Sequence, residues 1–302
     1  MNFILKYEIK EIIMTNILVI GLGLIGGSLV KSLKSKNKNS KKNNYRIWAI
    51  DKNKKNIESA LKDKYIERGF CNYSKIKKVF GFADIIIICA FPSVALNIIE
   101  KYKDLIDDKK IISDFCGVKK DIFDAVSNKK YVGIHIMAGK EKGGYINSSE
   151  SLFKNSNAII LSNDKAKKED IRKIEKLSKD IGCGKIIFST AKKHDYMIAF
   201  TSQLMHIIAC SIVNHNQFLE SLGYEGNSLS DHTRVGTIDA NMWSELFLYN
   251  SKYLSDSLSE YINRLEDFKK ALDKKNTNEL KKLMINSNKI KSKWLKRKNN
   301  IK

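Results

Sequence analysis

Proline and cysteine are both scarce in this 302-residue sequence. The single proline, Pro92, follows a predicted strand and opens a predicted helix, where its missing N–H costs little. The five cysteines include no CxxC pair, and their number is odd. This pattern excludes a disulfide framework and a cysteine-based zinc site, so we expect a reduced, cytoplasmic protein that binds no metal.

Long apolar runs are also missing. No uninterrupted apolar run reaches the roughly 18 residues that a membrane-spanning helix needs. Residues 1–13 mix Lys and Glu with apolar residues and have no small-residue cleavage site, so they do not resemble a signal peptide. We therefore expect no membrane partner. We assign residues 1–14 to an N-terminal extension, since the first predicted strand follows Met14.

Acidic residues are few relative to basic ones. The chain has 33 Asp and Glu against 55 Lys and Arg, which gives a formal net charge of +22. A charge of this size is typical of proteins that bind nucleic acid. The lysines, however, are spread along the chain and form no single arm or stripe. We therefore expect no nucleic-acid partner, and we expect the basic field to attract an anionic substrate.

Short β-rich runs alternate with helical patterns as far as residue 189. The predicted strands are 16–20, 46–51, 85–90, 110–114, 131–135, 158–161 and 185–188, and the predicted helices are 25–35, 54–62, 93–102, 119–126 and 165–181. This alternation predicts a Rossmann-type, doubly wound parallel sheet over residues 15–189. Only helical patterns follow, at 191–222, at 239–272 and in a Lys-rich last helix, so residues 190–302 are predicted to form an all-helical domain.

A glycine motif, Gly21-Leu22-Gly23-Leu24-Ile25-Gly26, follows the first predicted strand and opens a helix. In this context Gly21 allows a tight turn, Gly23 lets the backbone approach a pyrophosphate, and Gly26 lets the helix pack on the strand. The motif therefore predicts a dinucleotide site that includes Leu24 and Ile25.

Acidic and small residues at other strand ends extend this predicted site. Asp51 ends the second predicted strand, where a carboxylate accepts hydrogen bonds from ribose hydroxyls and repels a 2′-phosphate. It therefore favours NAD over NADP, although a turn or cap residue at this position is the alternative. Ala90 and Asp114 lie at two further strand ends and are predicted to contact the cofactor.

Several residues with catalytic side chains lie near the same edge or in the helical part. His135 ends a predicted strand beside glycines, and His194-Asp195 opens the helical part. His206 follows twelve residues after His194, on roughly the same helix face. Arg234 suits a carboxylate because its guanidinium is planar and forked. Each residue also has a purely structural alternative. His135 could be a structural histidine, Asp195 a helix N-terminal acid, and Arg234 a member of a surface ion pair.

Together these motifs resemble the prephenate dehydrogenase family, from about residue 16 to the region of residue 250. The resemblance is carried by the glycine motif with Asp51, the stretch 114–119, His135-Ile136-Met137-Ala138-Gly139-Lys140-Glu141, His194-Asp195 with Ser202-Gln203-Leu204-Met205-His206, and the stretch 231–234 with Met242-Trp243. It implies NAD-dependent oxidative decarboxylation of prephenate to 4-hydroxyphenylpyruvate in tyrosine biosynthesis.

The resemblance also implies roles for individual residues. His135 matches the catalytic histidine, which accepts a hydrogen bond from the ring hydroxyl, and Arg234 matches the arginine that holds a substrate carboxylate. The remaining matches are to residues in or near the substrate site: His194 and His206 lining it, Glu141 at its entrance and Trp243 beside it. The helical domain is the family's dimer interface, so a homodimer is expected.

The chain departs from the family pattern at four positions. Ile136 stands where proline is usual, and Gln203 and Met205 replace a histidine and a proline. Gly117 stands where many members have a serine that bonds the substrate hydroxyl, and glycine has no side chain to make that bond.

Other functions stay open on the sequence. Arogenate in place of prephenate is the first alternative, and other Rossmann oxidoreductases with helical C-terminal domains explain fewer of the motifs. A basic protein that binds RNA or DNA through its lysines is the non-enzyme alternative.

Overall fold

The computed structural model describes residues 14–39, 45–73, 76–140 and 142–300. The chain divides into two compact units, Met1–Asn250 and Ser251–Lys302.

The first unit is built on a five-stranded parallel sheet. Its strands are β1 (Thr15–Ile20), β2 (Tyr45–Ile50), β3 (Arg68–Phe70), β4 (Ile85–Ile88) and β5 (Ile111–Asp114), in the order β3-β2-β1-β4-β5. The helices between them are α1 (Leu24–Asn39), α2 (Lys54–Lys62), α3 (Ile76–Phe82) and α4 (Pro92–Tyr102), and α5 (Lys120–Ala125) follows β5. The strand order reverses between β1 and β4, and this is where such sheets bind ligands.

The apolar composition of the central strands explains their position. Ile85 and Ile87 of β4 belong to one buried cluster, and Ile86 and Ile88 belong to a second cluster on the opposite face. Successive strand residues point to opposite faces, so a strand covered by helices on both sides must be apolar throughout. The predicted Rossmann-type fold with a helical C-terminal part is confirmed. The sequence reading missed β3 and α3, which are only three and seven residues long.

The last three strands form a second sheet and correct the prediction of uniform parallel pairing. The strands β6 (Val132–Ile136), β7 (Asn157–Ser162) and β8 (Lys185–Phe188) lie in the order β6-β7-β8. The β6–β7 pair is antiparallel, because the described residues between the two strands contain only a 3-10 turn, Tyr145–Asn147, and no crossover helix. Helix α6 (Lys168–Asp180) supplies that crossover between β7 and β8, which are parallel.

The segment that follows β6 packs on α1. The Ser149 N–H donates to Ser28 Oγ at 3.0 Å, and Lys31 Nζ donates to the Ser148 carbonyl at 3.1 Å. The Ser148 side chain fills the space over Gly27, because a Cβ atom at position 27 would lie 2.7 Å from Ser148 Oγ. The segment after β6 is therefore fixed against the helix that the glycine motif opens.

Helices make up the rest of the described chain. In the first unit they are α7 (Ala191–Ile198), a π-helical segment (Ala199–Gln203), α8 (Leu204–Val213), α9 (Asn227–Thr233) and α10 (Ala240–Tyr249), with a 3-10 turn at Leu219–Ser221. The second unit contains α11 (Ser251–Asp273) and α12 (Thr277–Asn300), which pack on each other.

One helical segment, Ala191–Val213, is long and apolar enough to cross a membrane by length and composition, with a mean hydropathy of 1.6 over its most apolar part. A count of uninterrupted apolar residues does not find this segment. Thr, Ser, Gln and His interrupt the apolar run without introducing a charge into residues 196–213, so the mean hydropathy stays high. The core helix of a soluble protein passes the same test.

Candidate active site

The glycine motif forms a cradle between β1 and α1. Gly21 has a φ of +95°, which favours glycine, and a Cβ atom there would lie 2.3 Å from the Cys89 carbonyl oxygen. A Cβ atom at Gly26 would lie 1.9 Å from the Gly21 carbonyl oxygen. At Gly23, by contrast, a Cβ atom would have no described atom within 4 Å. The first and third glycines are thus required for packing, and the second leaves open space beside the N-terminus of α1, where a pyrophosphate fits.

Asp51 directly follows β2, and its side chain is hydrogen-bonded to the glycine motif. Its Oδ2 accepts a hydrogen bond from the Leu22 N–H at 2.5 Å, and its Oδ1 accepts one from the Asn53 N–H at 2.7 Å. The turn role that the sequence left as an alternative is therefore present. Asp51 is half-exposed, and a carboxylate oxygen can accept more than one hydrogen bond, so this placement is compatible with the ribose role.

Three further predicted cofactor residues lie close to this cradle. Leu24 and Ile25 open α1, and Ala90 lies just beyond the end of β4. All three are half-buried.

Asp114 ends β5 and is completely buried in an ion pair with Lys119. Lys119 Nζ lies 2.6 Å from Asp114 Oδ1, and the Tyr131 hydroxyl donates to Asp114 Oδ2 at 2.5 Å. The carboxylate is thus turned into the protein interior. The Asp114 side chain thus pairs with a lysine, and the contact of this residue with the cofactor stays a prediction.

Three residues form a hydrogen-bonded chain at the end of β6. His135, in β6, has its Nδ1 2.7 Å from His194 Nε2, and His194 Nδ1 lies 2.7 Å from Asp195 Oδ1. His194 and Asp195 are both buried in α7. His194 therefore lies behind His135 with its side chain completely buried, and its implied role in lining the substrate site stays a prediction.

This chain fixes the positions of the imidazole protons. The Asp195 carboxylate is an acceptor, so His194 must present Nδ1–H to it and leave Nε2 without a proton when the ring is neutral. His135 must then donate its Nδ1–H to His194 Nε2. It follows that the Nε2 of His135 carries the free lone pair of a base.

Burial keeps both histidines neutral. Burial, followed by the neighbouring His194 and Lys119, holds the pKa of His135 well below its ordinary value. Burial also lowers the pKa of His194, although the hydrogen bond to Asp195 opposes this effect. His135 is thus available as a proton acceptor at neutral pH.

The Asp195 carboxylate is held from a second side by the start of α5. The Lys119 N–H donates to Asp195 Oδ1 at 2.9 Å, and the Lys120 N–H donates to Asp195 Oδ2 at 2.8 Å. The Asn250 side-chain amide donates to the Asp195 carbonyl at 2.9 Å and to Gln203 Oε1 at 2.6 Å. The end of α10 and the π-helical segment therefore also bear on the position of Asp195.

A second group of predicted residues lies on α8, α9 and α10. The rings of His206 and Trp243 are 3.7 Å apart between centroids, and His206 Nδ1 lies 3.0 Å from the Val235 carbonyl oxygen. Arg234 directly follows α9 and lowers the pKa of His206, although burial is the larger cause. Gln203 lies between the Asp195 group and this second group. It accepts from Asn250, which bonds Asp195, and it donates to the Leu246 carbonyl of α10, the helix that carries Trp243, at 2.9 Å.

Gly117, where a serine was expected, lies against α10. A Cβ atom at position 117 would be 3.2 Å from Leu246 Cδ2, so the Leu246 side chain packs where a serine side chain would begin. Glu141, the predicted entrance residue, lies outside the described residues.

Sequence reasoning missed Lys119 and Asn250 as parts of this site. Lys119 belongs to the stretch 114–119 on which the resemblance was based, but a lysine in a lysine-rich chain gives no signal of burial. Asn250 stands 55 residues from Asp195, and only the fold brings them together.

Comparisons with known proteins agree with this architecture. The family model described as the prephenate dehydrogenase nucleotide-binding domain matches residues 35–187, and the model described as the prephenate dehydrogenase dimerization domain matches residues 190–286. The match begins after the glycine motif. The metal-free prediction is not tested by these matches.

Curated relatives match most of the chain. Prephenate dehydrogenase of Bacillus subtilis is 27% identical over 275 residues, which cover 87% of this chain and 72% of that protein. Cyclohexadienyl dehydrogenase of Zymomonas mobilis is 26% identical over 268 residues, 85% of this chain and 88% of that protein.

Solved structures show the same fold. Prephenate dehydrogenase from A. aeolicus, in complex with hydroxyphenyl propionate and NAD+, superposes with a TM-score of 0.80 at 22% identity and covers 94% of this chain and 98% of that one. Synechocystis arogenate dehydrogenase gives a TM-score of 0.77 at 21% identity, over 93% and 100% of the two chains.

The hydrogen-bonded chain predicts the state of the two histidines in solution. In side-chain ¹⁵N NMR spectra of histidine-labelled protein, His135 and His194 should both be Nδ1–H tautomers at pH 7. Both should stay neutral as the pH falls below about 6.5, the ordinary histidine value. An Nε2–H tautomer of His135 would contradict the arrangement.

The lowered pKa values of His135 and His194 also predict how the free energy of unfolding depends on pH. Because the folded-state pKa values of His135 and His194 are lowered, the unfolded chain binds more protons just below pH 6.5. The free energy of unfolding should therefore fall as the pH decreases from 7 to 5, by roughly 1.4 kcal/mol per pH unit for each extra proton. Urea unfolding of wild type and His135→Asn, compared at both pH values, measures the difference; equal slopes would contradict it.

Proposed function

Because the chain belongs to the prephenate dehydrogenase family, we propose that it catalyses the NAD-dependent oxidative decarboxylation of prephenate to 4-hydroxyphenylpyruvate in tyrosine biosynthesis. The observation that carries the proposal is the chain from Asp195 through His194 to His135, which leaves a base at the end of β6. The bridge between Ile112 and Tyr131 makes β5 and β6 locally parallel. The base therefore lies at the same edge of the fold as the glycine motif.

In this reaction His135 accepts one proton from the substrate hydroxyl and later returns it to the same oxygen. NAD⁺, when bound, accepts the hydride that leaves the ring carbon bearing the hydroxyl. His135 Nε2 takes the hydroxyl proton as the carbon–oxygen bond becomes a carbonyl. The ring carboxylate then leaves as CO₂, and the electron pair of its bond passes through the ring to the oxygen. That oxygen takes the proton back from His135, and the product is a phenol.

The buried charges near His135 suit this temporary transfer. Two buried carboxylates, Asp114 and Asp195, accompany one buried ammonium, Lys119. The cluster thus carries one net negative charge while both imidazoles are neutral. A proton received by His135 balances that charge, which stabilises the intermediate stage in a poorly solvated place.

Substrate carboxylates need a cation, and Arg234 is the residue that we propose for this role. It lies beside His206 and near Trp243, in the part of the chain that the dimerization-domain model covers. A planar guanidinium binds a carboxylate through two parallel hydrogen bonds. Arogenate retains the ring and its carboxylate but carries an amino group in place of the side-chain keto group. It is the alternative substrate, and a 26% identical relative is named cyclohexadienyl dehydrogenase.

The glycine motif and Asp51 are proposed to hold the cofactor, with NAD preferred over NADP. Open space at Gly23 accepts a pyrophosphate, and the Asp51 carboxylate accepts ribose hydroxyls and repels a 2′-phosphate. We propose that the enzyme acts in the cytoplasm.

A homodimer is the proposed assembly. The apolar segment Ala191–Val213 exposes Tyr196 and Phe200, each 57% exposed. An exposed apolar helix face in a region matched by a dimerization-domain model fits burial against a second copy of the chain.

The activity is tested directly by mixing purified protein with prephenate or arogenate and with NAD⁺ or NADP⁺, and following reduced cofactor by absorbance. Turnover of prephenate with NAD⁺ is expected to exceed the other three combinations. His135→Asn should lower kcat by about 10²- to 10⁴-fold, the usual contribution of a general base. His215→Asn, at an exposed histidine after α8, is the matched control and should keep its activity. Absence of turnover with every pair would overturn the proposal.

Two glycine substitutions separate binding from packing. Gly23→Ala should change the free energy of unfolding by less than about 0.5 kcal/mol, because its Cβ meets no described atom, and should weaken NAD⁺ binding at least about tenfold. Gly26→Ala should destabilise the fold by about 1–3 kcal/mol, because its Cβ would overlap the backbone. Urea unfolding and NADH fluorescence titration measure the two effects. Unchanged binding in Gly23→Ala would remove the motif from its role.

Sedimentation measures the assembly. Wild type should sediment at twice the 34.5 kDa of one chain, and Phe200→Asp should shift the equilibrium toward monomer. Ile146→Asp, at a residue that is 91% exposed on the 3-10 turn after β6, is the matched control and should leave it unchanged. A monomeric wild type, or equal dissociation in both variants, would contradict the proposed dimer.

A further inference from the structure

We propose that Lys119 is the positioning residue of the proton-accepting chain, because its backbone and its side chain hold the two opposite ends of that chain. The inference rests on the proposed function, since it assigns Lys119 a part in proton transfer by His135. Lys119 does not touch the reacting atoms in this proposal; it acts through His135 and Asp195.

The backbone of Lys119 holds the Asp195 end. Its N–H lies 2.9 Å from Asp195 Oδ1, the same oxygen that accepts from His194 Nδ1. With the Lys120 N–H on Oδ2, both carboxylate oxygens are fixed in direction. The orientation of the His194 ring follows from this, since its Nδ1–H must point at a fixed oxygen.

The side chain of Lys119 holds the His135 end. Its Nζ lies 2.8 Å from the carbonyl oxygen of Ile134, the residue before His135 in β6. The other two contacts of Nζ are with Asp114, to Oδ1 at 2.6 Å and to the carbonyl oxygen at 3.1 Å. An ammonium has three N–H donors, and each has one acceptor here. The end of β5 and the end of β6 are thus joined by a single group.

The complete burial of this lysine calls for an explanation. Lys119 and Asp114 are both 0% exposed, and replacing a buried ion pair by apolar residues often costs no stability. A well-packed apolar pair at this place would hold the two strands equally well. It would not supply a donor to the Ile134 carbonyl, and it would not place a positive charge near His135.

The hydrogen bond between His135 and His194 tolerates little displacement. The His135 Nδ1 and His194 Nε2 atoms are 2.7 Å apart, and a displacement of about 1 Å would break this bond and leave the proton positions of His135 undefined. Lys119 also lowers the pKa of His135, after burial and His194. The charged and titratable groups in this cluster are His194 and Asp195 from α7, Lys119 before α5, Asp114 from β5, Tyr131 before β6, and the thiols of Cys89 and Cys116, which follow β4 and β5.

The test removes the ammonium and its partner charge together. Lys119→Met/Asp114→Asn keeps the backbone N–H of residue 119 and avoids leaving a buried carboxylate unpaired. We expect kcat to fall about 10- to 100-fold with the KM values for prephenate and NAD⁺ within about threefold, and the acid limb of the kcat profile to move to higher pH. Lys119→Gln/Asp114→Asn, which retains amide donors, should recover part of kcat.

The matched control is Lys110→Met. Lys110 is a second buried lysine, at the opposite end of β5, and its Nζ donates to the Ala83 carbonyl at 2.9 Å. Lys110→Met should reduce the free energy of unfolding, as the loss of Lys119 does. It should leave kcat and the pH profile of kcat unchanged.

Side-chain ¹⁵N NMR of the histidines gives a readout that needs no substrate. In the Lys119→Met/Asp114→Asn variant, the His135 pKa should rise and its Nδ1–H signal should weaken. Unchanged kcat, pH profile and His135 signals in a folded variant would overturn the positioning role. If that variant does not fold, the same measurements on the Gln variant decide. If the wild type shows no turnover but the variant still changes the His135 signals, the proposed function fails and the positioning role of Lys119 stands.

Discussion

The hydrogen bond between the rings of His135 and His194 connects the two parts of the first compact unit at the point where chemistry is proposed. His135 belongs to a strand of the second sheet, and His194 belongs to the first helix after that sheet. Several buried groups hold this bond from both sides. Asp195 fixes the ring of His194, the start of α5 fixes Asp195, and Lys119 fixes the strand that carries His135.

The bond also shows why so many ionisable groups are buried together. A histidine that must accept a proton needs a neutral resting state and a nearby negative charge to compensate the proton once it arrives. Burial supplies the first requirement, and Asp195 supplies the second, one ring away from the base. Distance between His135 and Asp195 matters here, because a carboxylate in direct contact would raise the pKa of the base and keep it protonated.

The sequence predicted the local features well and the distant contacts poorly. The glycine motif, the strand before it and the acid after β2 follow from short patterns whose physical reasons are local. The direction of β7 relative to β6 is not encoded in either strand, and the signal lay between them, where the described residues form no crossover helix. The strand-end position of Asp114 gave no sign of its ion pair with Lys119, which could be identified only once the fold had buried both. The amide of Asn250 reaches Asp195 from the far end of α10, and no spacing rule predicts such a contact.

The Ser148 side chain over Gly27 places a constraint on how this protein can change over evolutionary time. Position 27 lies directly after the last glycine of the dinucleotide motif, yet the space that a larger residue would need is filled by a residue far along the chain, beyond β6. A side chain at position 27 therefore requires Ser148 to move or change, and Tyr145 as well, whose Cδ2 would lie 2.8 Å from the same Cβ. The segment that follows β6 therefore limits which residues the helix that begins at the glycine motif can carry at its packed face.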